Sequence, residues 1–280
     1  MVSESKLQRL NEHGWRVGLA NLLRKENGEW WGTRAWLVQA IIWLAICNGL
    51  LAIILWMAPA QSRQAVEAGR AAEELTGQQA VVDGLEVFLM VSAMATAIGI
   101  AIIMQDSIMD EKKSGTLAWV LSKPVARPAV IIAKLVANSI GALAIMILLQ
   151  GAVAFVQLRL AGSDVAPGPF LLALGVLGLH LLFYLALTLM LGVLFDNRGP
   201  VIAIPLLLVF GYQILLGIAP GLRQITPYGL TVPGGADDPG LALLIARGDP
   251  VSSLLPVAAT MVWIAIFISV TLWRFERQEF

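Results

Sequence analysis

Residues 170–195 read FLLALGVLGLHLLFYLALTLMLGVLF, an unbroken run without a single Asp, Glu, Lys or Arg. A hydrocarbon core about 30 Å thick is crossed by about 20 apolar residues in a helix. Backbone groups surrounded by lipid must hydrogen-bond within their own segment, which a helix allows and an open strand does not. The run therefore reads as a membrane-spanning helix. Working outward, five more stretches qualify, at about 37–58, 85–104, 129–158, 200–220 and 255–273. The two-residue alternation of barrel strands is absent. The expected fold is all-α and integral to the membrane, a six-helix bundle over 37–273.

Composition agrees. The 280 residues are 58% hydrophobic and 14% charged, against roughly half and a quarter in soluble domains. Nineteen Lys and Arg balance nineteen Asp and Glu, so no basic footprint for nucleic acid is present. Their placement is uneven. Six spans put both termini on one side, and that side, with the loops after spans two and four, holds 14 of the basic residues, from Lys6 and Arg9 to Arg274 and Arg277, against 5 on the other. By the positive-inside tendency the termini and the tail 274–280 are expected in the cytoplasm, and loops 59–84, 159–169 and 221–254 outside. The outer loop 59–84 reads as short exposed helix or loop, and Leu241, Leu243, Leu244 and Ile245 suit a short helix dipping into the outer leaflet.

Residues 1–36 lack the pattern of a cleaved signal peptide. Trp15, Leu19, Leu22, Leu23 and Trp30 recur at helical spacing, with Arg16, Arg24 and Lys25 elsewhere on the wheel and Arg34 beyond, so an amphipathic interfacial helix is expected in contact with membrane lipid. Glu26 projects onto the apolar stripe, where an unpaired carboxylate is costly. A basic neighbour should pair with it.

Catalytic signatures are missing. The sequence has no Gly-x-x-x-x-Gly-Lys-[Ser/Thr] loop, no His-Glu-x-x-His pair and no Gly-x-Ser-x-Gly elbow, and its single cysteine, Cys47, can form no intrachain disulfide. Neither an enzyme nor a metal site is expected. Asn48, Gln150, His180, Tyr184 and Gln213 lie inside apolar spans, and such groups must face the bundle interior, a second subunit or a wet cavity. They mark a candidate substrate path, with hydrogen bonding between helices as the plainer reading. Ala93, Ala97 and Ala101 add the small-residue spacing that lets helices approach closely.

The inner loop 105–128, QDSIMDEKKSGTLAWVLSKPVARP, sets a charged run beside apolar residues, more apolar surface than a connector requires. A protein contact, or an interfacial helix with basic ends, accounts for that composition. Glu111, Gly115, Thr116, Leu117, Leu121, Ser122, Pro124, Val125, Arg127 and Lys134 resemble the signature of permease subunits of type-2 ATP-binding-cassette exporters. The Lys25-Glu26 to Arg34 stretch, the turn at 195–200 and the ending TLWRFERQEF are similar to that family as well, whereas Ala118 stands where many members carry an acidic residue.

The resemblance implies a half-transporter. Two six-helix subunits, identical or homologous, would sit on two ATPase subunits that bind ATP and Mg, while this chain carries no cofactor of its own. The loop 105–128 would seat on the ATPase, with Glu111, Lys112, Lys113, Lys123 and Arg127 as polar contacts and Leu117, Trp119 and Leu121 as apolar anchors. The plasma membrane is the implied location. Two other readings compete: a membrane scaffold with no transport of its own, and an intramembrane enzyme built on His180 and Tyr184.

Overall fold

The computed structural model describes residues 14–70, 73–233 and 239–278; Lys6 and Arg9 of the charge count, and the last two residues of the C-terminal signature, lie outside them. Among the described residues six helices are long and apolar enough to cross a membrane. Leu19–Trp31 forms α1. The spans are α2 (Ala35–Glu67), α3 (Gly77–Met104), α6 (Arg127–Leu160), α7 (Pro167–Leu194), α8 (Arg198–Ile218) and α12 (Leu255–Glu276). The loop 105–128 holds two short helices, α4 (Asp106–Lys113) and α5 (Thr116–Leu121). Beyond α8 come α9 (Leu222–Ile225), α10 (Tyr228–Thr231) and α11 (Leu241–Arg247).

Helix lengths follow from local chemistry. The α2 helix runs on well past the apolar stretch because Ala58–Glu67 is built from good helix formers. The α3 helix begins at Gly77 because Thr76 accepts from the Gln79 N–H while the Gln79 side chain returns a bond to the Thr76 N–H, a capping box. Most of the segment 59–84 is therefore helix. Between α8 and α12, α11 turns Leu241, Leu243 and Ala246 toward the core against α7, and its Arg247 pairs with Glu86 of α3 at 3.3 Å.

The α7 helix is the axis of the bundle. It packs against α3, α11, α12 and α8, and 72% of its most apolar window is buried against 17% for α8. Two spans carry wide π turns, at Leu44–Asn48 and Ile53–Met57 in α2 and at Leu143–Leu149 in α6. Such turns leave carbonyls without the usual partner. One is met by Gln150, whose Nε2 donates to the Ile145 carbonyl at 3.2 Å.

Candidate functional site

The N-terminal helix, the segment 105–128, the turn after α7 and the end of α12 meet at one end of the bundle. The helix α4 bonds to α1, to α6, to the last turn of α7 and to the start of α8, and Arg127 of α6 joins the end of α12 to them. Glu111 accepts from Lys25 of α1 and pairs at 3.2 Å with Lys134 of α6. Lys134, 2% exposed, also donates to Glu26 at 3.0 Å, and Lys25 lies 3.3 Å from Glu26 and 3.5 Å from Glu29. The carboxylate that the wheel placed on an apolar stripe is thus held by two ammonium groups, one of them 108 positions away. Burial works to lower the Lys25 ammonium, but the hydrogen bond and charge of Glu111, with Glu26 and Glu29, outweigh it and leave it above the ordinary lysine value. Burial and the neighbouring Glu26 raise the Glu29 carboxyl.

The other flank of α4 is clamped too. Lys112 donates to the carbonyls of Gly192 and Val193 at 3.2 and 3.1 Å, satisfying the last turn of α7, and lies 3.5 Å from Asp196. Arg198, opening α8, reaches Asp106 at 2.8 Å and also Asp110. Sequence reading left Asp106 and Asp110 out of the site; their four-residue spacing, which puts both on one face of a helix, was the available signal.

Trp30 joins α1 to α6 by a second route. Its indole N–H donates to Asn138 Oδ1 at 2.9 Å, and Asn138 in turn donates to the Lys134 carbonyl at 2.7 Å. The ring lies over Gly141, where a Cβ would overlap it. Leu22, Glu26 and Trp30, four residues apart, form the buried face of α1. Trp15 is exposed with the Arg16 guanidinium 5.0 Å from its ring centre, and Arg34 is exposed at the start of α2.

The α5 helix hangs from α4 by Gly115, whose φ of +72° is the left-handed conformation that favours glycine. Ser114 and Thr116 hydroxyls bond across this turn at 2.8 Å. Leu117 is 1% exposed and points back into the bundle, Leu121 is partly buried, and Trp119 is 62% exposed with the Lys123 ammonium 3.4 Å above its ring. Lys113, Ser122 and Pro124 are exposed, and Ser122 closes the helix by donating to the Trp119 carbonyl at 2.7 Å. Arg127 turns elsewhere, donating to the carbonyls of Glu276 and Gln278 at 2.8 and 2.7 Å, so it caps α12.

The model for the ABC-2 family transporter protein matches residues 21–280. The chain belongs to the ABC-2 transporter family. It is therefore a membrane permease subunit of an ABC transporter, a family whose members partner an ABC ATPase. No curated protein matches the sequence.

The candidate path residues of this permease fall into two places. Asn48 and Gln150 are bonded to each other, with Asn48 Nδ2 donating to the Gln150 side-chain oxygen at 2.9 Å and to its carbonyl at 3.3 Å, so they tie α2 to α6 inside the bundle. His180 and Tyr184 lie elsewhere, with ring centroids 5.0 Å apart, and line a cavity of about 200 Å³ together with Tyr212 and Tyr228. Gln213 is exposed and donates to the Tyr212 hydroxyl at 3.3 Å. Among the described residues no cluster of His, Cys, Asp or Glu is arranged to hold a metal ion.

Proposed function

We propose that this permease is the membrane half of an exporter, driven by a separate ATPase that docks on α5. The observation that carries the reading is the contrast around Gly115: Asp106, Asp110, Glu111 and Lys112 of α4 are engaged inside the chain, while Lys113, Trp119 and Lys123 are exposed at the end of the bundle. A large aromatic held by a neighbouring cation is the kind of group that anchors an interface. Glu111 and Lys112, tied internally, would then transmit rather than dock, and Lys113, Ala118, Trp119 and Lys123 would meet the ATPase.

The excess of basic residues on the terminal side, 14 against 5, supports placing that end in the cytoplasm of the plasma membrane, with α1 at the headgroup level. ATP and Mg would bind only in the ATPase, two copies of which would serve two permease subunits. Closure of the ATPases on ATP would push α5. Because α4 is bonded at once to α1, α6, α7 and α8, the push would reach four helices as one rigid body, and packed helices answer by switching between discrete arrangements.

A pull-down of the tagged permease from its native membrane tests this. The wild type should recover an ATPase with a phosphate-binding Gly-rich loop, and Trp119→Asp should lose it while the permease still inserts. Recovery of no ATPase by the wild type, or the same recovery by Trp119→Asp, would overturn the docking on α5.

A further inference from the structure

The cavity beside His180 has a chemistry that no part of the coupling end shares. Among the described residues its lining carries no charged side chain. Met90, Ala93 and Met94 of α3 and Val209 of α8 make an apolar wall, the rings of His180, Tyr184, Tyr212 and Tyr228 face it, and Thr231, Val232 and Pro233 join the lining. Tyr184 is held rigidly, with Phe183 edge-on at 5.2 Å, and Phe183 is itself braced by Phe267 at 5.3 Å. Tyr228 is fixed by donating to the Leu208 carbonyl at 2.7 Å.

Two polar groups here are left over. His180 is 5% exposed; its Nδ1 is enclosed and unpaired, and its Nε2, the nitrogen left for a ligand, has no hydrogen-bond partner among the described residues either. Tyr184, 1% exposed and one turn along the same helix, likewise has no partner for its hydroxyl among the described residues. Buried polar groups are nearly always paired, so unpaired ones beside an open cavity ask for a partner from outside the chain. A neutral imidazole offers one donor and one acceptor. A ligand hydroxyl can serve as either, so it matches His180 whichever nitrogen carries the proton, and it can accept from Tyr184 as well.

Size and walls narrow the ligand further. A cavity of about 150 Å³ holds benzene, so about 200 Å³ takes one substituted ring rather than a drug-sized molecule. Aromatic walls favour a ring stacked or edge-on. An ionised group would enter with no counter-charge among the described lining, at a high desolvation cost.

We propose that this cavity binds an uncharged, hydroxyl-bearing single ring, a phenol-type group, as the point at which the permease recognises its cargo. The cargo role rests on the transport reading above; the binding does not. The test is equilibrium dialysis of radiolabelled 4-ethylphenol and ethylbenzene against the full chain in nanodiscs without ATPase, with empty nanodiscs subtracted. The phenol should bind about tenfold more tightly than ethylbenzene, the worth of one net hydrogen bond. His180→Phe and Tyr184→Phe, which keep a ring in place, should each bring that ratio toward one while ethylbenzene affinity holds. A ratio near one in the wild type, or a ratio untouched by both variants, overturns the proposal. So does displacement of the phenol by benzoate or benzyltrimethylammonium as readily as by unlabelled phenol. Binding of neither ring overturns it too and leaves the space to lipid chains. Since no ATPase is present, a failed pull-down and a failed dialysis remain separate results.

Discussion

The helices α4 and α5 are cut from one charged loop and separated by a single glycine turn, yet they face opposite ways. Asp106, Asp110, Glu111 and Lys112 of α4 are consumed by partners on α1, α6, α7 and α8. The α5 helix buries Leu117 fully and Val120 and Leu121 in part, and leaves Trp119 outside. Charge in a loop is thus no guide to docking. Here the charged helix is the fastening and the apolar one is the free surface.

That comparison can be broken most severely at Lys134. Lys134→Met should destabilise the permease by about 3–5 kcal/mol, because Glu26 and Glu111 would keep buried charge with only Lys25 to answer it; thermal unfolding in detergent reads the loss, and a variant as stable as wild type would mean the network fastens nothing. Next comes the pair on α5. Leu117→Ala should cost about 2–5 kcal/mol through the cavity it leaves. A smaller loss of about 1–3 kcal/mol is expected for Gly141→Ala, since the added methyl must displace the Trp30 ring from α6; the quench or shift of tryptophan emission should accompany the lowered melting temperature. The smallest stability effect belongs to Trp119→Ala, within about 0.5 kcal/mol as for exposed positions. Its signature should be functional instead: ATPase activity no longer stimulated or restrained by the permease, measured in reconstituted membranes. Stability lost at Trp119 and coupling lost at Leu117 alone would reverse the two assignments.

Much of the fold was legible. Each span announced itself by length and apolarity, and the helices found at Pro167–Leu194 and Leu255–Glu276 differ from the expected 170–195 and 255–273 by a few terminal residues. The α2 end was less legible, because Ala58–Glu67 is polar and helical at once. At the site, Glu26 declared its need for a cation, since a carboxylate on an apolar face has few other solutions. Its partners were only half visible: Lys25 is adjacent, but Lys134 lies far along the chain. Asn48 and Gln150 looked the same as His180 and Tyr184 from the sequence, as polar residues in apolar runs. The structure separates them, because the first pair faces each other across α2 and α6 and the second faces a cavity.

By itself, the sequence determined that the described residues carry six helices long and apolar enough to cross a membrane, for the bilayer's thickness converts directly into helix length and its dryness forbids any other backbone. It also determined which residues could not rest in lipid unpaired. The tertiary structure decided what those residues pair with and which spans form the core. Span four and span five are comparably apolar, yet one is the buried axis and the other lies almost bare. In water hydropathy tells inside from outside, but in a bilayer a leucine is equally at home against lipid or protein, so only packing could choose.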